Sequence, residues 1–151
     1  MINLGSLEDL QQSAAELKIL VIGCGGGGCN SVHRLTSIGI QGVKTVAINT
    51  DKSHLRTINA DQRLLIGSQV TRGLGAGGIP EVGEGCMENA LDALNKILQD
   101  ADLTFITAGL GGGTGTGVAP VVAPWWSPWR QRPSSSSAAG AWRRRAGASG
   151  G

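Results

Sequence analysis

The chain has 151 residues, enough for one domain, with 25 glycines, no tyrosine and Phe105 as its one phenylalanine. Its formal charge of +2 is a property of the tail: up to Ala123 eight basic residues face all eleven acids, a balance of −3, and the other five arginines follow Pro124. That placement excludes a nucleic-acid reading built on overall charge, and no stretch is long enough to span a membrane. Cys24, Cys29 and Cys86 lack paired metal spacing and fit a reduced cytosolic chain.

In chain order, residues 1–17 carry acids and glutamines in place of a basic-then-apolar signal. Ser6 can cap a helix on which Leu7, Leu10, Ala14 and Leu17 share a face, which predicts an N-terminal helical extension over 1–17. Residues 18–22 are β-branched and apolar on both faces, the pattern of a central parallel strand. Gly23, Gly25 and Gly28 then fit G-x-G-x-x-G, and a helix is expected from about Asn30 to Ile38. A second strand over 43–48 ends in Asn49-Thr50-Asp51. Asp51 lies 23 positions beyond Gly28, where a dinucleotide-binding fold places the acid that holds a ribose. Alone, this first third reads as a Rossmann-type NAD site; the alternative is a tight strand-to-helix turn with no ligand.

Residues 63–66 predict a short third strand. The glycine-rich loop 71–81 opens one helix over 81–99, with Val82, Ala90, Leu91, Leu94, Ile97 and Leu98 facing the core. Glu81, Glu84 and Glu88 are its solvated face and dipole partners. His33 and His54 have no partner motif and read as structural or surface residues.

Residues 104–108 form a short apolar run with two threonines, a buried strand. Glycines follow at 109, 111, 112, 113, 115 and 117, and a helix is expected to start at Val118 with Pro120 in its first turn. Strand, glycine loop and helix start together are the geometry that binds phosphate, against the alternative of a flexible glycine linker: glycines let backbone N–H groups converge, the helix dipole favours an anion, and threonine hydroxyls can donate to phosphate oxygens or ligate a metal on the nucleotide. The loop has no lysine, so it is not a G-x-x-x-x-G-K-[ST] P-loop. In a parallel sheet, three such loops share one edge and converge on one crevice.

Residues 111–117, Gly-Gly-Gly-Thr-Gly-Thr-Gly, match the signature of the tubulin/FtsZ family of GTPases. The match also takes in Gly25 to Gly28 with Asn30, Asn49-Thr50-Asp51, residues 73–78 and Ala119-Pro120-Val121-Val122. Over 17–123 the chain resembles the N-terminal part of the FtsZ cell-division branch, of archaeal type. The resemblance implies an α/β fold: a Rossmann-like parallel sheet with helices on both faces and order 3-2-1-4-5-6, here truncated after the fourth main strand. It implies that Gly26, Gly27, Gly28, Cys29 and Asn30 lie against the nucleotide phosphates, and that Asn49 is also a nucleotide-binding residue. It further implies that Ala76, Gly77 and Gly78 sense the γ-phosphate, and that Gly112, Gly113, Thr114, Gly115, Thr116 and Gly117 wrap the β- and γ-phosphates of GTP or GDP with Mg²⁺. Partners by resemblance are other copies of the chain, stacked head to tail in protofilaments, and other division proteins, at a cytoplasmic division site. No protein metal site and no direct membrane span are expected. Cys29 stands where the family commonly has glycine or asparagine, and bears on the phosphate contacts; Ile79 stands where asparagine precedes Pro80.

The family pattern runs to about Ala123, which sets a partial GTP-binding domain at 18–123. The ribose-contacting loop, guanine-reading helix, acidic catalytic loop and second domain of the family have no counterpart in these residues. Residues 124–151 hold all four tryptophans, a serine run and five arginines without an acid, which reads as coding sequence translated out of frame. The alternative is a basic, tryptophan-bearing tail for membrane or nucleic acid. Two other functions stay open: an NAD-dependent oxidoreductase domain resting on Gly23, Gly25, Gly28 and Asp51, and a non-enzymatic subunit that caps filaments.

Overall fold

A computed structural model describes residues 17–126. The N-terminal helix expected over 1–17 therefore lies almost wholly outside the described residues, as does the tail beyond Trp126. Four parallel strands form one sheet in the order β3-β2-β1-β4, with β1 Ile19–Cys24, β2 Val43–Asn49, β3 Gln62–Leu65 and β4 Leu103–Ala108. All four follow the apolar runs read from the sequence. Cys24 of β1 stands opposite Ile48 of β2 and Ala108 of β4. The three strand ends are flush, so the segments that leave them emerge side by side. Among the described residues β3 and β4 are the outer strands, so the buried strand expected over 104–108 is corrected to an edge strand: Thr104 is buried, but Phe105 is 54% exposed.

The helices are α1 Gly25–Ile38, α2 Lys52–Thr57, α3 Ser68–Thr71, α4 Pro80–Glu88, α5 Leu91–Leu98 and α6 Gly113–Val122, which a 3-10 turn extends over Ala123–Trp126. Side chains alternate across the strands, so Leu20, Ile22 and Cys24 meet one layer with Met87, Leu94, Val118 and Val122. On the other face a smaller cluster gathers Cys29, Ala47, Leu55 and Ile58.

Three helix expectations are corrected. The first helix begins at Gly25, not near Asn30, and the last at Gly113, not Val118. Pro120 is consequently the eighth residue of α6 and sits on its exposed face, where the missing N–H faces no buried acceptor but one intrahelical bond is lost. The reason is tertiary. Gly113, Gly115 and Gly117 each lie against another backbone; a Cβ at Gly115 would stand 2.6 Å from the Gly109 carbonyl oxygen. Glycine is a poor helix former, but here no other residue fits the approach. The helix expected over 81–99 is two helices. Asn89 donates its side-chain amide to the Gly85 carbonyl at 2.9 Å, and the Ala90 N–H turns to Met87 at 2.9 Å, ending α4. The bend lets Met87 and Leu94 both reach the core.

All three cysteines are free and buried. Burial pushes the Cys24 and Cys29 thiols from about 9 up to about 12. The unfolded chain releases those protons first, so stability is full below about pH 9 and falls above it, by roughly 1.4 kcal/mol per pH unit for each thiol. Burial raises the Cys86 thiol as well; urea titrations between pH 8 and 10.5 should show a falling stability, and Cys29→Ala should make the slope shallower. A stability independent of pH across that range would contradict the buried thiols.

Candidate nucleotide site

At the flush strand ends opens a cleft of about 410 Å³, lined by Gly26, Gly27, Asn49, Asp51, His54, Gly75, Gly109, Leu110, Gly112, Gly113, Thr114 and Gly115. Two helices point their N-termini into it. The N-cap of α1 is Cys24 and that of α6 is Gly112, and neither makes a side-chain cap. Their first-turn N–H groups are left for another acceptor. The two ends touch: Gly25 has the left-handed φ of 70° and a Cβ on it would collide with the Gly115 nitrogen. Two partial positive charges thus meet at one spot.

The expected site residues divide by position. Gly26, Gly27, Asn49 and Gly112 to Gly115 form the wall. Gly28 is buried against the Thr107 carbonyl and lets α1 pack on β4. The Cys29 side chain does not face the cleft; its Sγ lies 3.4 Å from the Ile48 carbonyl oxygen, in the core. Its side chain therefore takes no part in the cleft wall. Ala76 is buried behind Gly113, while Gly77 and Gly78 are exposed at φ 62° and 79° beside the start of α6. The Thr116 hydroxyl accepts from the Gly111 N–H at 3.0 Å and shapes the loop. Gly117 lies against Pro80 of α4 and is a packing residue.

His33 is structural: its Nδ1 accepts the Asn59 N–H at 2.8 Å. His54 is not merely structural, since it lines the cleft. Asp51 caps α2 by accepting the His54 N–H at 2.9 Å, which turns the imidazole back over the strand end. Asn49 Oδ1 takes the Thr50 N–H at 2.8 Å, so Asn49 Nδ2 is the donor to His54 Nδ1 at 3.1 Å. His54 Nε2 then donates to Asn30 Oδ1 at 3.0 Å. This chain ties Asn30 of α1 to Asn49 of β2 across the mouth. The available sequence signal was Asp51 as an N-cap directly after a strand, which aims the residue three positions on at the strand end. Gly75, Gly109 and Leu110 were also missed as lining; Leu110 is 81% exposed at the rim.

The GTPase-domain model of the tubulin/FtsZ family matches residues 18–127. The chain belongs to the tubulin/FtsZ family. Cell division protein FtsZ 2 of Methanocaldococcus jannaschii is 58% identical over 105 residues, covering 70% of this chain and 28% of that protein. Cell division protein FtsZ 2 of Haloferax volcanii is 53% identical over 109 residues, covering 72% and 27%. Among solved structures, an empty FtsZ dimer from M. jannaschii superposes with a TM-score of 0.72 at 55% identity, over 79% of this chain and 34% of that one. CetZ2 from H. volcanii, a GTPγS-bound protofilament, gives 0.68 at 33% identity, over 78% and 38%. The chain thus spans about a quarter to two fifths of these FtsZ-family relatives. The four-strand order β3-β2-β1-β4 agrees with the tubulin/FtsZ order expected from the sequence. No helix among the described residues is long and apolar enough to cross a membrane.

Proposed function

We propose that residues 18–123 are the phosphate-binding part of an FtsZ-type GTP site, acting within a filament-forming division GTPase of the cytoplasm. The observation that carries this reading is the meeting of two uncapped helix N-termini at Gly25 and Gly115. The phosphates of GTP or GDP lie on the N–H groups of Gly26, Gly27 and Gly113 to Gly115, with the Thr114 hydroxyl as a further donor. The cleft fits such a group, because its wall is mostly backbone donors and carries one carboxylate, Asp51. Mg²⁺ arrives with the nucleotide, and the Asp51 carboxylate in the wall is the hard oxygen donor that suits it.

Asn30, Asn49 and His54 hold the mouth of the cleft rigid. Gly77 and Gly78 stand where a γ-phosphate at the start of α6 would be felt. The dimeric and protofilament forms of the solved relatives support self-association, which in our reading runs head to tail. Turnover needs the acidic loop of a neighbouring subunit, so these 151 residues alone bind without hydrolysing. Base selectivity is weak, because the family's guanine-reading helix lies outside the matched stretch. Residues 1–17 are an extension, and 124–151 are outside the domain.

Calorimetric titration with GTP, ATP, guanosine and NAD⁺ tests this reading. GTP and ATP should bind alike with Mg²⁺, and guanosine and NAD⁺ should not. Tight NAD⁺ binding without triphosphate binding would establish the dinucleotide reading instead.

A further inference from the structure

Thr50 does not line the cleft, yet it joins three segments of its wall. It is fully buried, between β2 and α2. Its Oγ1 lies 2.6 Å from Oγ1 of Thr114, 64 positions along the chain. Its carbonyl accepts the Gly75 N–H at 3.2 Å and the Thr71 hydroxyl at 3.3 Å. Its own N–H is held by Asn49 Oδ1 at 2.8 Å. The residue is thus fixed from three sides, and its hydroxyl meets one partner among the described residues.

A hydroxyl has one proton and two acceptor lone pairs. If Thr114 donated to Thr50, its only proton would be spent inside the protein. If Thr50 donates to Thr114, the Thr114 proton stays available at the cleft, and the accepted bond fixes the direction in which it points. We propose that Thr50 is a positioning residue: it donates to Thr114 Oγ1 and so aims the Thr114 proton at a phosphate oxygen of the bound nucleotide. The proposal rests on the reading that phosphate sits at the start of α6. A donor already oriented in the free protein saves the cost of ordering it on binding. The same bond polarises the second hydroxyl, which strengthens its donation.

Valine at position 50 keeps the shape and removes the donor; serine keeps the donor. Binding of GTPγS with Mg²⁺ is measured by calorimetry for the full chain, Thr50→Val, Thr50→Ser, Thr114→Val and the double variant. Thermal melts are recorded for each. Thr50→Val should weaken binding about tenfold and Thr50→Ser by less than threefold. In the Thr114→Val background, Thr50→Val should cost nothing more, since the hydroxyl it serves is gone. Additive losses, equal losses in the serine and valine variants, or unchanged affinity in Thr50→Val would each overturn the proposal and leave Thr50 as fold packing. If Thr50→Val does not fold, Thr50→Ala takes its place in the cycle and is read by the same comparison with serine. A parent chain that fails to bind GTPγS at all overturns the nucleotide site itself, which is a separate result from a parent that binds and a valine variant that binds equally well.

Discussion

Replacing Gly112 by aspartate is expected to remove most of the affinity for nucleoside triphosphate while leaving the fold as stable or slightly more so. Gly112 is the N-cap of α6, at φ −94° and ψ 174°, an extended conformation open to any residue. A Cβ there meets nothing within 4 Å. Aspartate is among the preferred N-cap residues, and its carboxylate would accept the N–H of Thr114 or Gly115. That contact, with the helix dipole, adds a few tenths of a kcal/mol to about 1 kcal/mol of stability. The same N–H groups are the ones proposed to hold the phosphate, which the new charge would repel. Losing a charge-assisted bond and gaining that repulsion should cost about 2–4 kcal/mol of binding, roughly thirty- to several-hundred-fold. Calorimetry with GTPγS and a thermal melt read both effects. Gly112→Asn caps the helix without charge and should fall between the two. An aspartate variant that binds like the parent would place the phosphate elsewhere.

The second large effect concerns the packing behind the site. Gly117→Ala should destabilise the chain by about 2 kcal/mol or more, although alanine is the better helix former. A Cβ at Gly117 would run into the Pro80 carbonyl oxygen and stand 2.7 Å from the Glu84 nitrogen. These are backbone atoms of α4, and no rotamer change can move them aside. Overpacking costs about 1–3 kcal/mol even where side chains can yield, so a backbone clash belongs at or beyond the top of that range. The gain in helix propensity, about 1 kcal/mol, offsets only part. Gly85→Ala is the control. It lies in α4 with nothing within 4 Å of its Cβ, and should stabilise by about 0.5–1 kcal/mol. Opposite signs in urea denaturation are the expected result; a stabilised Gly117→Ala would mean that α4 and α6 do not cross this closely.

The strands were legible because runs such as Ile19 to Ile22 and residues 104–108 admit little else: both are short, apolar and β-branched, and each ends in glycine. The parallel order and the common edge of the loops followed from strands alternating with helices. The helix starts were not legible. Glycine argues against helix at each of positions 25–28 and at 113, 115 and 117, yet α1 and α6 begin inside those runs. The break at Asn89 was hidden for the opposite reason, since the apolar spacing on either side of it is compatible with one helix.

The sequence by itself therefore determined the fold class and the family, because these depend on which residue types follow one another along the chain. Only the tertiary structure decided which of those residues line the cleft and which support it. Cys29 and Gly117 turned out to support packing, whereas His54 was brought to the mouth and Thr50 behind Thr114. Partners 64 positions apart meet only when two strand ends lie flush, and a side chain's direction is set by whatever backbone approaches it. Neither is written in local spacing.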